Sequence, residues 1–322
     1  MIDVSVIIPV YNAGCLINRC LDSIFRQTGN YNIEIILVND GSTDNSVELI
    51  KQRPEQDRIK LFHQANSGPS KARNKGIMEA NGKYLAFLDA DDYWMPEFLD
   101  NTISFMEREP DAIAVSVAQR HFTTSGEHES PKGWRDLASE DGIIIPDFFE
   151  FWAQHSHVCT GSILIRSDIA KQTGGMRADL RVCEDLEYWA FLSTFGKIGY
   201  IPKILFVSDG TKVTENIGWV KKHLPRWNSA VTVDEWQKRI ISKDNGIISN
   251  PEYIKARGRI AQNLTYSILL SKRYGLAKEQ IKKYGKSFPK SKIQYMLKLA
   301  IKNPLNWLII SRALVYREYH RK

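Results

Sequence analysis

Three carboxylates crowd into four positions at Asp89, Asp91 and Asp92, directly after the apolar run Tyr84-Leu85-Ala86-Phe87-Leu88. A run of that kind reads as a buried strand, so the acids stand at its carboxyl end. Side chains alternate along an extended backbone, which turns Asp89 and Asp91 to the same side. Two carboxylates held that close repel one another unless a cation lies between them. Hard oxygen ligands with few protein contacts suit Mg²⁺ or Mn²⁺ bridging the phosphates of a substrate. The stretch therefore predicts a metal and diphosphate site, with a solvated acidic turn as the plain alternative.

The elements before this turn are those that could hold it in place. Val4-Ser5-Val6-Ile7-Ile8-Pro9-Val10 is β-branched and nearly continuous in apolar residues, as in a parallel strand buried on both faces. Tyr11-Asn12-Ala13-Gly14 turns into a helix whose Leu16, Ile17, Cys20, Leu21, Ile24 and Phe25 recur at helical spacing. Ile33 to Val38 is a second buried strand and ends in Asn39-Asp40-Gly41-Ser42-Thr43-Asp44. Ile59 to Phe62 reads as a strand, and Gly68 to Ala80 as a loop and helix. Alternating strands and helices predict an α/β fold with a mostly parallel sheet flanked by helices. Ligands gather at the carboxyl edge of such sheets, where Pro9 to Asn12, Asp40 and Asp89 would meet.

Length and composition agree with a globular chain: 322 residues, 43% hydrophobic and 25% charged. Cys15, Cys20, Cys159 and Cys183 show no metal-binding spacing and read as reduced thiols of a cytoplasmic protein. Met1-Ile2-Asp3 leads straight into a strand rather than a signal segment. The late apolar run from Leu305 to Val315 is broken by Arg312 and falls short of the roughly 20 residues of a spanning helix. The net charge of +7 is uneven. Residues from 250 onward hold 17 Lys and Arg against 3 Asp and Glu, leaving 27 against 34 before them. An acidic body with a basic tail suggests a polyanionic partner for the tail.

Four segments together resemble family 2 glycosyltransferases: Val6-Ile7-Ile8-Pro9-Val10-Tyr11-Asn12, Val38 to Asp44, Gly68-Pro69-Ser70-Lys71-Ala72-Arg73-Asn74-Lys75-Gly76, and Asp89-Ala90-Asp91-Asp92. The resemblance covers the first 100 residues closely and extends more loosely to about residue 208. It implies a GT-A-like fold in which Pro9 and Tyr11 line a nucleotide base and Asp40 accepts from the base N–H. It implies Arg73 near base and phosphates, Asp89 and Ala90 at the ribose, and Asp91, with Asp89, at a Mn²⁺ or Mg²⁺ ion. Asp92 would support the metal site or cap a helix. The pair Glu184-Asp185 opens a helix, where acids are favoured by its dipole in any case. By resemblance it is also the catalytic pair, with Asp185 the base and Glu184 orienting the acceptor. The family's fold often adds a late histidine to the metal. None stands near Phe206 to Thr211, where Asp209 could serve.

The resemblance thus implies an inverting glycosyltransferase that moves a sugar from a nucleoside-diphosphate donor, a UDP-sugar by expectation. The acceptor would be a saccharide or lipid-linked saccharide of bacterial surface-polysaccharide synthesis. Residues 1–210 would form the catalytic domain, with a donor half to residue 100 and an acceptor half from 101. The polar stretch 122–142 would carry part of the acceptor surface. His155 and His157 read as loop or core residues, and Lys71 as a surface lysine. Residues 211–250 would connect to a basic helical region, 251–322, whose aromatic-bearing amphipathic segments suit the anionic inner face of a membrane. Two other readings compete. A sugar-phosphate nucleotidyltransferase would need a glycine-rich basic loop near the start. A nucleic-acid-binding protein would rest on the tail alone.

Overall fold

The computed structural model describes residues 1–212 and 219–320. The chain divides into two units, Met1–Ala178 with Phe191–Val213, and Asp179–Ala190 with Thr214–Lys322.

The first unit is built on one sheet of ten strands. These are β1 (Val4–Val10), β2 (Ile33–Asn39), β3 (Ile59–His63), β4 (Tyr84–Phe87), β5 (Tyr93–Trp94), β6 (Ala112–Thr123), β7 (Gly126–Ser130), β8 (Ile143–Ile144), β9 (Ile163–Arg166) and β10 (Lys197–Asp209). The main path runs β3-β2-β1-β4-β9-β6-β10-β5, with β7 beside β6 and β8 beside β10. Strands β3, β2, β1 and β4 are parallel, as their apolar runs predict. The register pairs Val10 with Asn39, the ends of β1 and β2, and Phe87, the end of β4, with Ile7.

Beyond β4 the sheet differs from a mostly parallel one. Strand β9 lies antiparallel to both β4 and β6, and β5, β7 and β8 also pair antiparallel. Only β6 and β10 restore a parallel pair there. The chain reaches β9 from β8 through the helix Phe148–His155 and the 3-10 turn Thr160–Ser162. The polar stretch 122–142 holds more order than a loop. Strand β7 folds back on β6, and Arg120 ties Glu127 (2.9 Å) and Glu129 (3.2 Å) across the hairpin. Burial sorts the histidines: His157 is fully buried among Phe148, Phe151 and Tyr200, and His155 packs on Phe151. Both act as packing residues.

One close approach positions the site. Gly76 lies within the helix Pro69–Glu79, where a Cβ would stand 2.3 Å from Ile7 Cγ2. Glycine lets the helix lie directly on β1, which fixes the direction of Arg73 one turn earlier.

The second unit is helical: Glu184–Leu192 begins in it, and Trp219–Asn228, Val233–Lys243, Pro251–Leu270, Tyr274–Tyr284, Lys292–Ala300 and Pro304–Tyr319 follow. Residues 213–218 of the expected connecting segment lie outside the described residues. Most of the rest of that segment is helical, and Trp236 within it is fully buried, its indole N–H donating to the Cys183 carbonyl at 3.0 Å. Side chains of Asn250, Ser291 and Asn303 cap Pro251–Leu270, Lys292–Ala300 and Pro304–Tyr319. Among the described residues no helix is long and apolar enough to cross a membrane. All four cysteines are free.

Candidate active site

The carboxyl edge of the parallel strands is zipped together by side chains. After β1 the chain turns through Asn12, whose φ of 50° is in the left-handed region that asparagine tolerates. Asn12 Oδ1 accepts from Thr43 N (2.8 Å), Ala13 N donates to Ser46 Oγ (2.8 Å) and Gly14 N to Asp44 Oδ2 (2.9 Å). Burial opposes ionisation of Asp44, yet hydrogen bonds from Ser46 and Gly14 hold its carboxyl below the usual range. The acidic turn after β2 thus satisfies the backbone of the turn after β1. Tyr11 remains half exposed on this edge, with Pro9 partly buried beside it.

Asp40 is 4% exposed and does more structural work than its expected role implies. Its Oδ1 accepts from Gln64 Nε2 (2.7 Å) and Ser67 N (2.8 Å), and Oδ2 from Gly68 N (2.8 Å). A carboxylate has about four acceptor positions, so three are taken by the chain itself. Asp40 ties the end of β2 to the turn that starts the Arg73 helix.

Arg73 is buried and donates from Nη2 to Asp89 Oδ1 at 2.5 Å, while Asn74 exchanges two 2.7 Å bonds with the backbone of Met176. Sequence separates these partners by 16 and 102 positions; the fold brings them to one edge. Asp91 is raised above the ordinary carboxyl range by burial first and then by Asp89. Asp92 is pushed up to about 8 by burial, with Asp89 and Asp91 adding to it. Beneath them Cys20, whose thiol points at the Asp89 carbonyl, is raised well above its ordinary value by burial and the same three acids, so it stays a thiol.

One residue here carries no local signal in the sequence. Arg19 lies on the helix Ile17–Phe25 and donates from Nη1 to Asp209 Oδ2 and from Nη2 to the Asp91 carbonyl, both at 2.5 Å. Its guanidinium also rests over the Tyr93 ring at 4.8 Å. Asp209, which could have supplied the metal, is instead held by Arg19 and Thr211, and these bonds lower its carboxyl to about 2. Asp92 does not cap the following helix, Phe98–Arg108. Its Oδ1 accepts from Asp209 N at 3.2 Å.

The donor set can be tested against a divalent cation. Among the described residues no three His, Cys, Asp or Glu side chains form a metal cage. Asp89 already has Oδ1 on Arg73, which leaves Asp91 the foremost protein ligand. A lone partly buried carboxylate with raised affinity for a proton fits an ion that takes its remaining ligands from phosphates and water. The residues fit Mg²⁺ or Mn²⁺ arriving with a diphosphate.

Glu184 and Asp185 occupy the first turn of Glu184–Leu192 and belong to the second unit. Cys183 before them has φ 59°, and its thiol is pushed up to about 12 by burial, with both acids adding. Glu187, one turn on, is fully buried and bound by Arg239 through two bonds of 3.0 and 2.5 Å. This ion pair anchors the helix that carries the acids.

A mixed sheet with a Rossmann-like first half and an acidic turn at its carboxyl edge defines a GT-A-like nucleotide-binding fold. Residues 5–173 match the family model for glycosyl transferase family 2, and the chain belongs to that family. It is 45% identical over 124 residues to the uncharacterized glycosyltransferase YibD of Escherichia coli, covering 38% of this chain and 36% of that protein. The chain thus spans about a third of that relative. Residues 1–349 of TarS from S. aureus superpose with a TM-score of 0.67 at 16% identity, over 100% of this chain and 92% of that one. A mannosyltransferase from Pyrobaculum calidifontis, solved with GDP-Man and Mn²⁺, gives 0.54 at 17% identity, over 99% and 87%. TarS has also been solved with UDP and with UDP-GlcNAc. At these identities the structures establish the fold.

Proposed function

We propose that this chain is a metal-dependent, inverting glycosyltransferase that uses a nucleoside-diphosphate sugar, a UDP-sugar first among them. The observation that carries the reading is the charge pattern at the strand ends: Arg73 neutralises Asp89, while Asp91 and Asp92 keep raised carboxyl pKa values. That edge calls for a cation, and a diphosphate supplies the ligands the chain lacks. The nucleotides and Mn²⁺ bound by the structural neighbours support it. Tyr11 and Pro9 would flank the base, Asp40 would offer it the one acceptor position its own chain leaves, and Asp89 and Ala90 would meet the ribose. Arg73 would bind diphosphate oxygens in a forked geometry. The cation, held by Asp91, would neutralise the charge that develops on the leaving diphosphate.

Asp185 is proposed as the base and Glu184 as the residue that orients the acceptor. The Asp185 carboxylate takes the hydroxyl proton as the acceptor oxygen bonds to C1 and the C1–O bond to the diphosphate breaks. One displacement inverts the anomeric centre. A saccharide or lipid-linked saccharide of a bacterial surface polysaccharide, met at the cytoplasmic face of the membrane, suits the basic helical region as acceptor.

Calorimetry with UDP-, GDP- and dTDP-sugars, each with and without Mn²⁺, tests donor and metal together. Binding of a UDP-sugar strengthened by Mn²⁺ is expected, and no response to any nucleotide sinks the reading. D185N should lower kcat by about 10²- to 10⁴-fold with donor binding retained. An NMR spectrum showing a retained anomeric configuration in the product would refute the single displacement.

A further inference from the structure

The last helix, Pro304–Tyr319, carries apolar residues on both its buried and its exposed face. Its exposed positions include Leu305, Leu308, Ile309, Arg312, Ala313 and Tyr316, which recur at i, i+3, i+4, i+7, i+8 and i+11 and so form one stripe. Leu305, Leu308, Ile309 and Tyr316 are 56–66% exposed. The inward face meanwhile buries Leu314 and Val315 together with Ser311 and Glu318, the last accepting from the Tyr266 hydroxyl at 3.1 Å. Folding on itself therefore does not explain why the outward stripe is aliphatic. The preceding helix, Lys292–Ala300, packs against this one and adds exposed Tyr295 and Lys298, followed by exposed Lys302. From Gln280 to Arg317 the chain has nine Lys and Arg and no Asp or Glu.

We propose that this face docks on an anionic lipid bilayer, with the Leu305, Leu308 and Ile309 stripe entering the boundary between headgroups and acyl chains, and Lys298 and Lys302 at the lipid phosphates. The proposal rests on the membrane-contact part of the reading above and is independent of its chemistry. Three occupants can be weighed by charge and shape. A second copy joined by a twofold axis would cover the apolar stripe but bring two clusters of like charge together, with no acid between Gln280 and Arg317 to pair them. A nucleic acid would satisfy the lysines but leave the aliphatic stripe without a partner, since single strands stack on aromatic rings. An anionic bilayer satisfies both the apolar stripe and the basic rim.

Flotation of the full chain with vesicles of phosphatidylcholine, alone or mixed with phosphatidylglycerol, tests this. The chain should float with the anionic vesicles and stay behind with the neutral ones. Each basic residue at an anionic surface contributes roughly fivefold in partition, so K298E/K302E should lower the partition coefficient by at least about 25-fold. L305S/L308S/I309S, changed only at exposed positions, should lower it by at least about tenfold. Donor binding measured by calorimetry in the same samples should be unchanged. Equal recovery with neutral vesicles, no recovery with either, or unaltered recovery of both variants overturns the proposal. So does a concentration-dependent dimer abolished by the serine variant, or tRNA binding without vesicle binding. Loss of the donor response with flotation intact would defeat the catalytic reading and leave this one standing.

Discussion

Replacing Asp40 with asparagine separates what this carboxylate does for the fold from what it does for a ligand. The side chain is buried and accepts from Gln64 Nε2, Ser67 N and Gly68 N at 2.7, 2.8 and 2.8 Å. Asparagine retains one acceptor oxygen. The less costly rotamer keeps that oxygen on Gln64 and Ser67 and turns the amide N–H₂ toward Gly68 N, where two donors then face each other. One hydrogen bond to a charged group is lost, at about 1.5–3 kcal/mol, and two others weaken from charge-assisted to neutral. Desolvating an amide costs less than desolvating a carboxylate, which offsets part of this. The net loss is about 2–3 kcal/mol, or roughly 5–10 °C in Tm for a unit of this size. Thermal denaturation followed by circular dichroism, without nucleotide or metal, measures it. If D40N melts like the wild type and only UDP affinity falls, Asp40 is a ligand contact first and the anchoring argument is refuted.

Two further outcomes follow from the same edge. Arg19 holds the Asp209 carboxyl at about 2, below its ordinary 3.8, so this pairing stabilises the fold above about pH 4 and stops doing so as pH falls through 2. R19M should be less stable than wild type by about 1 kcal/mol at pH 7 after solvent screening, with the gap closing toward pH 2 in urea titrations; a gap independent of pH would mean lost packing instead. Asp92 has the opposite sign. Its carboxyl is raised from 3.8 to about 8, so the metal-free chain loses stability as pH rises between those values, by at most about 1.4 kcal/mol per unit. D92N, which preserves the acceptor for Asp209 N, should flatten that slope, as Mn²⁺ with UDP should for the wild type. A slope unchanged in D92N would assign the ionisation elsewhere.

The parallel half of the sheet was legible because both faces of β1, β2 and β4 are covered, and that requirement writes unbroken apolar runs into the sequence. The other half was not, for a physical reason. Strand β5 has two residues, β7 is half solvated and held by Arg120 with Glu127 and Glu129, and β9 runs antiparallel to β4 although a helix, Phe148–His155, precedes it. None of these leaves a periodic signal. Residues 211–250 were expected only to connect; within them Trp227, Val233, Trp236, Ile240 and Ile247 are buried.

The acidic turn reads as a cation site from local sequence alone, but its charge balance depends on residues far away in sequence. Of the acids gathered at this edge, Asp89 has Arg73 and Asp209 has Arg19, a partner 190 positions distant on a helix otherwise patterned for packing. Local pattern cannot reveal such pairs, because a polar residue on an amphipathic helix is expected on the solvent side. Once both arginines are spent, Asp91 gains only partial relief from Arg19, and Asp92 is offset by hydrogen bonds from Asp209 N and Ser208. The uncompensated charge is therefore not a property of the Asp-Ala-Asp-Asp sequence itself. It is what remains after the fold has matched every acid it can, and that remainder is where a divalent cation would bind.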